Sequence, residues 1–151
     1  MGNRSDHQSK QSESAPPRLP LGTIAWADLT VPDADRVREF YRGVVGWVTS
    51  ELDMGGYSDY GMHTPGDRTL VAGICHARRS NADLPPYWLI YITVADLDQA
   101  MARCRERHGR VYAGPLSAGR LGRFCVIQDP AGALAALLEP PASEAKRRTD
   151  G

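Results

Sequence analysis

The stretch WADLTVPDAD, residues 26–35, returns later in the chain as LIYITVADLD, residues 89–98. At this offset of 63 (residue 89 against residue 26), Thr30, Val31, Asp33 and Asp35 meet Thr93, Val94, Asp96 and Asp98. Further on, Gly46 and Val48 meet Gly109 and Val111. Self-similarity at a constant offset marks two copies of one supersecondary unit, neither able to bury its own apolar face. The period exceeds that of the common solenoid repeats, so a two-copy domain fits it better.

Each copy opens with a strand. In the second, Trp88, Ile90, Ile92 and Val94 alternate with Leu89, Tyr91 and Thr93, so the two sets lie on opposite faces. In the first, Ala27, Leu29 and Val31 share one face and Trp26, Asp28 and Thr30 the other. Both faces carry bulk, which predicts that both are covered, one of them by a helix. Asp33 and Asp96 are suited to N-cap such helices, because a carboxylate accepts from the free amides of the first turn. Val37, Phe40, Tyr41 and Val44 recur at helical spacing and Gly46 ends the run. Leu97, Ala100, Met101 and Cys104 do the same in the second copy, where Gly109 is read as the stop. Three short extended runs follow each helix: GWVTSEL, YSDYGMHT and TLVAGICHA, then RVYAGPL, GRFCVIQD and ALAALLE. The order is βαβββ, twice, in the α+β class.

Length and charge bound the rest. The chain has 151 residues, which favours one domain with one sizeable core. Lys plus Arg equals Asp plus Glu at 18 each, so bulk electrostatics favour neither nucleic acid nor an anionic membrane. No apolar stretch approaches bilayer length, and the first twenty residues lack the apolar core of a secretory signal. Cys75, Cys104 and Cys125 form no CxxC and are odd in number, so neither a zinc knuckle nor a disulfide framework is indicated, and a reducing cytoplasm is the expected location. Residues 1–20 and 142–151 are polar and are expected to be disordered tails. They flank a single domain, 21–141, made of modules at about 21–78 and 84–141.

The duplication, together with DLTVPDADRVREFYRGVVGW and GRFCVIQDPAGALAALLEP, resembles the vicinal oxygen chelate superfamily, which includes glyoxalase I, extradiol dioxygenases and bleomycin-resistance proteins. The nearest flavour is the actinobacterial glyoxalase-like group. This resemblance implies two βαβββ modules pairing into a curled mixed sheet around a central cup that holds the ligand, and it implies a homodimer. In metal-binding members the ligands come from the first and last strands of each module. The corresponding positions here are Trp26, Leu89 and Ala136, with Gly73 as the counterpart of Ala136. None of these side chains can bind a divalent metal, so no metal and no cofactor is expected. Glu139 lies three residues past Ala136 and, by strand parity, on the opposite face, which makes it a polar strand end.

By the same parity the cup-facing set is Trp26, Asp28, Thr30, Leu89, Tyr91, Thr93, Leu134, Ala136 and Leu138. Apolar walls with a few polar groups suit a small-molecule ligand. Asp28 and Tyr91 occupy equivalent positions in the two copies and are expected to meet. They form either a ligand-binding or acid–base pair, or one internal hydrogen bond, and Arg120 and Arg123 are alternative partners for Asp28. His63 follows a Gly- and Tyr-rich stretch read as a rim and is a candidate acid or base. His76 lies at a strand end of uncertain facing, and His108 at a helix end where a cation suits the macrodipole. Tyr57, Tyr60, Trp26 and Tyr87 offer stacking surface, and Arg123 is placed at the cup mouth. The Gly-rich SAGRLGRF matches no phosphate-binding loop. Three readings follow: a metal-free small-molecule binder; a metal-free isomerase, lyase or hydrolase using Asp28 with Tyr91 or His63; and a dimeric interaction module with a filled cup.

Overall fold

A computed structural model describes residues 19–142. The first module comprises β1 (Ile24–Val31), α1 (Ala34–Val45), β2 (Val48–Asp53), β3 (Ser58–His63) and β4 (Leu70–His76). The second comprises β5 (Trp88–Thr93), α2 (Leu97–Glu106), β6 (Arg110–Ser117), β7 (Arg123–Gln128) and β8 (Leu134–Glu139). The βαβββ duplication is therefore present as read. The expected tails at 1–18 and 143–151 lie outside the described residues.

All eight strands form one mixed sheet, in the order β2-β3-β4-β1-β5-β8-β7-β6. Within each module the first and last strands run parallel, and β1 and β5 join the modules antiparallel. The two halves mirror each other in register: Asp28 pairs with Gly73 as Tyr91 pairs with Ala136. Gly73 is thus the counterpart of Ala136, as the repeat required.

Both helices lie on one side of the sheet. Under α1, Leu29, Val31, Met62, Ala72 and Ile74 are buried with Ala34, and Val37, Tyr41 and Trp47 pack against them. Under α2 the set is Leu97, Met101, Cys125 and Leu137, flanked by Ile92, Val94 and Ile127. The other face carries a third cluster around Leu89, Tyr91, Phe124, Val126 and Ala136. The alternation seen in the sequence thus divides each strand between a helix-covered face and the cup.

The caps follow the sequence. Asp33 Oδ1 accepts from the Arg36 amide at 3.1 Å, and Asp96 Oδ1 from the Gln99 amide at 3.0 Å. Gly46 ends α1 in the left-handed conformation, φ 80°, with its amide bonded to the Arg42 carbonyl. The end of α2 differs from expectation, because the left-handed residue is His108, φ 66°, one before Gly109. Gly109 is needed for space: a Cβ there would lie 2.7 Å from Cys104 Sγ and 3.1 Å from the Gln128 carbonyl.

Glu139 has a definite task. Its Oε2 accepts from the Leu97 amide at 2.6 Å, so the last strand caps the start of α2 from across the layer. It also pairs with Arg123 at 3.2 Å, and Arg123 reaches Asp98 at 3.3 Å. Glu139 is the polar strand end that parity indicated, on the helix side.

Candidate ligand-binding site

Trp26 and Asp28 of β1 lie opposite Tyr91 and Leu89 of β5, and these four side chains form the centre of the cup floor. The Tyr91 hydroxyl donates to Asp28 Oδ1 at 3.1 Å, and the Trp26 indole lies beside the same carboxyl, where its N–H favours the charged form. No Lys or Arg pairs with Asp28 among the described residues, so Arg120 and Arg123 are not its partners. Burial without a cation pushes the Asp28 carboxyl up from 3.8 to about 6, against the opposing effect of Tyr91 and Trp26 and with added repulsion from Asp59. Tyr91 is pushed well above its ordinary value by burial and by the adjacent Asp28. Cys75, on the same face, is raised by burial and then by Asp28 and Asp59, so its thiol stays protonated.

The two halves of the cup are filled differently. In the second, Leu84 from the inter-module linker and Leu116 and Ala118 close over Leu89, Tyr91, Phe124, Val126 and Ala136. In the first, the floor beside Asp28 is a row of glycines: Gly73 pairs with Asp28, and Gly61 pairs with Gly73. The Trp26 indole lies over Gly73, where a Cβ would sit 3.2 Å from the ring. Leu52, by strand alternation on this face, and Leu70, against Gly61, are half or more exposed. The open, partly apolar surface next to Asp28 therefore belongs to the first module.

Thr30, Leu89, Ala136 and Leu138 stand on the cup face as read, with Thr30, Leu89 and Ala136 buried. Thr93 stands there too, but its hydroxyl donates to the Pro20 carbonyl at 2.8 Å and accepts from the Thr23 amide at 3.1 Å. It fastens the incoming chain to β5. Four expectations are corrected. Tyr60 lies on the α1 side: its hydroxyl donates to Asp35, which pushes the phenol up to about 12, and Arg38 covers its ring at 4.3 Å. Arg123 is also on the helix side, held by Glu139 and Asp98 as described above. His63 is held by Ser50 Oγ at 2.9 Å and the Arg68 carbonyl at 3.0 Å, two strands from β1, and so does not pair with Asp28. Tyr57, in the β2–β3 turn, stacks edge-on against His76 and under Arg78. His76 itself is buried at the end of β4, with Nδ1 3.4 Å from Asp59 Oδ1 but without hydrogen-bond geometry, and Nε2 3.8 Å from Asp35.

Sequence reasoning missed Cys75 and Asp59. Both were readable: Cys75 is two residues beyond Gly73 and therefore on its face, and Asp59 is two before Gly61. The metal positions of the resemblance carry Trp26, Leu89, Gly73 and Ala136, and the geometry puts these beside Asp28 and Tyr91 without a donor set. No group of three or more His, Cys, Asp or Glu among the described residues is arranged to hold a metal.

A two-module βαβββ sheet with its polar pair on the helix-free face defines a class. The chain belongs to the Glyoxalase/Bleomycin resistance protein/Dioxygenase superfamily, which it matches over residues 23–137. Among curated relatives it is 31% identical over 119 residues to CFP32 of Mycobacterium tuberculosis, provisionally named a glyoxylase, covering 79% of this chain and 44% of the relative. It is 30% identical over 131 residues to the anthracycline biosynthesis protein DnrV of Streptomyces peucetius, covering 77% and 46%. The chain thus spans less than half the length of these relatives. Methylmalonyl-CoA epimerase of Streptomyces coelicolor shares the fold at a TM-score of 0.50 and 22% identity, covering 83% of this chain and 99% of the epimerase. Homoprotocatechuate 2,3-dioxygenase of B. fuscum does so at 0.50 and 18%, covering 81% of this chain and 33% of the dioxygenase. At these identities the likeness to solved structures concerns the fold alone.

Proposed function

We propose that this protein binds a small, partly apolar organic molecule in the first-module half of the cup, without a metal, using Asp28 as the polar anchor. The observation that carries the reading is the Asp28–Tyr91 pair: a carboxyl held on the cup floor by the Tyr91 hydroxyl and no cation. Buried carboxyls without a counter-charge are costly and concentrate at functional sites. Such a group suits a ligand that brings its own donor or positive charge, while Trp26, Leu52 and Leu70 supply apolar contact. The donor-less side chains at 26, 73, 89 and 136 support metal independence. The kinship with an anthracycline biosynthesis protein favours a planar ligand stacking on Trp26.

A second reading is favoured by one observation. With its pKa near 6, Asp28 is a carboxylate at neutral pH yet basic enough to take a proton, the property of a general base in an isomerase or lyase. Tyr91 then orients it, and His63 has no part. The packing of the second half by Leu84, Leu116 and Ala118 confines either activity to the first half. In line with its kin, we take the protein to act as a homodimer.

Native mass spectrometry of the full chain purified without chelator tests the reading first. A bare mass or an organic adduct is expected, and one transition metal per chain would overturn it. With an anthracycline as probe, followed through tryptophan fluorescence, Trp26→Leu is expected to weaken binding at least tenfold, whereas unchanged affinity would remove Trp26 from the site. Asp28→Asn separates binder from enzyme: a binder keeps measurable affinity, whereas a base-dependent enzyme loses nearly all of its rate.

A further inference from the structure

Ser50 of β2 and His63 of β3 stand apart from the Asp28–Tyr91 pair, and a different chemistry lies between them. Tyr60 and Met62 face α1, so Gly61 and, opposite it in register, Ser50 face the cup. Ser50 Oγ and His63 Nε2 are 2.9 Å apart, and His63 Nδ1 is 3.0 Å from the Arg68 carbonyl. A carbonyl only accepts, so Nδ1 carries the hydrogen. In the neutral ring Nε2 is then the bare nitrogen, and it accepts from the Ser50 hydroxyl. A serine nucleophile needs this tautomer: a hydroxyl, an imidazole base and a third group that orients the base.

The orienting carbonyl is held in place. Arg68 sits at φ 61°, a left-handed conformation that a non-glycine residue keeps only when its surroundings fix it. Its amide donates to the Thr64 carbonyl at 3.2 Å, and the Thr69 amide donates to Thr64 Oγ1 at 3.0 Å and to Asp67 Oδ1 at 3.1 Å. Gly61 leaves room for the pair, because a Cβ there would lie 2.7 Å from Ser50 Oγ and 3.5 Å from His63 Nε2. Ser50 is exposed on β2, an edge strand, where alternate amides point out of the sheet and can donate to a developing oxyanion.

The surroundings indicate the substrate. Asp28, Gly73, Gly61 and Ser50 follow one another across β1, β4, β3 and β2. The two glycines leave a trough between the carboxyl and the hydroxyl, three strand spacings or roughly 14 Å long. Leu52 and Leu70 border its Ser50 end and are half or more exposed.

We propose that Ser50 and His63, oriented by the Arg68 carbonyl, are a nucleophile and base that hydrolyse a carboxylic ester whose apolar or aromatic body lies in this trough. Ser50 Oγ adds to the ester carbonyl carbon as its proton passes to His63 Nε2. The bond to the alcohol oxygen then breaks, the alcohol leaves with that proton, and the acyl group stays on Ser50. Water adds to the acyl carbon and gives a proton to Nε2, and Ser50 recovers that proton as the carboxylic acid departs. The pair does not depend on Asp28. Only the anchoring of a substrate at the far end of the trough rests on the ligand reading.

A neutral fluorophosphonate, which needs no such anchor, tests the pair on the full chain. Intact mass and peptide mapping are expected to show one adduct per chain, on Ser50, and none after heat denaturation, when the hydroxyl has lost its base. Hydrolysis of p-nitrophenyl butyrate is expected to fall roughly 100-fold or more in Ser50→Ala and in His63→Gln, with melting curves establishing that both are folded. No adduct, an adduct on another residue, labelling that survives denaturation, or an unchanged rate in folded Ser50→Ala would overturn the proposal. Mapping of the unmodified protein decides the matter even if a variant fails to fold. A metal in the cup, or unchanged anthracycline affinity in Trp26→Leu, bears on the ligand reading alone.

Discussion

The carboxyl of Asp28 makes a sign-definite prediction about stability. In the unfolded chain it titrates near 3.8 and in the fold near 6. Below pH 4 it is protonated in both states and costs nothing. Between pH 4 and 6 the unfolded state releases its proton first, so the fold loses stability as pH rises, and above 6 the penalty is complete. A displacement of about two pH units corresponds to ~3 kcal/mol. Asp28→Asn removes the ionisation but keeps the shape and an acceptor for the Tyr91 hydroxyl. The weaker neutral hydrogen bond returns about 1 kcal/mol of the gain. The variant should therefore be more stable than the unmodified protein by ~2 kcal/mol at pH 7.5, or about 6 °C in Tm for a domain of this size. At pH 4 the gain should vanish or reverse. Differential scanning calorimetry of both proteins at the two pH values measures this. Because Asp35 and Glu39, whose carboxyls are held low by hydrogen bonds from Tyr60 and Arg42, titrate alike in both proteins, the difference isolates Asp28. A variant no more stable at pH 7.5, or equally stabilised at both pH values, would refute the claim that a desolvated charge sits at this position.

Three further outcomes follow from the same geometry. Tyr91→Phe removes a donor that holds Asp28 down, so the Asp28 carboxyl should titrate above 6, and a carbon-13 NMR titration finding it lower would contradict the pairing. Glu139→Ala strips the cap from the Leu97 amide and should cost about 1–2 kcal/mol in urea unfolding, while a loss within experimental error would mean that α2 does not depend on it. Gly122→Ala drives a methyl into the Glu139 carbonyl at φ 112°, so at least 3 kcal/mol should be lost and little folded protein recovered, and a normal melting curve would show that the loop yields freely.

The parts of the site legible in the sequence were those with two independent anchors. Asp28 and Tyr91 were placed by strand parity and by the repeat, and the two agreed. Thr93 had both as well, yet its hydroxyl is taken up by Pro20 and Thr23, a contact with a segment that no periodicity describes. Tyr60 was grouped with Tyr57 as rim surface by composition, without a strand phase, and its register opposite Ile74 is what puts it on the α1 face. Parity was equally silent about Arg123, since RFCVIQ is apolar on both faces and the deciding partners, Glu139 and Asp98, come from other elements. The filling of the second half of the cup depends on Leu84, which reaches the core from a linker without any repeat counterpart.

The mirrored register of the two modules also bears on chain connectivity. The step from the end of β4 to the start of β5, bridged by residues 77–87, is related by the pseudo-two-fold to the step from the end of β8 to the start of β1. A chain opened in that linker, with its old ends joined by a segment of similar length, would present the modules in reverse order yet rebuild the same sheet. Covalent order is thus nearly interchangeable in this architecture. The pairing of β1 with β5, more than the peptide that connects the halves, makes them one body.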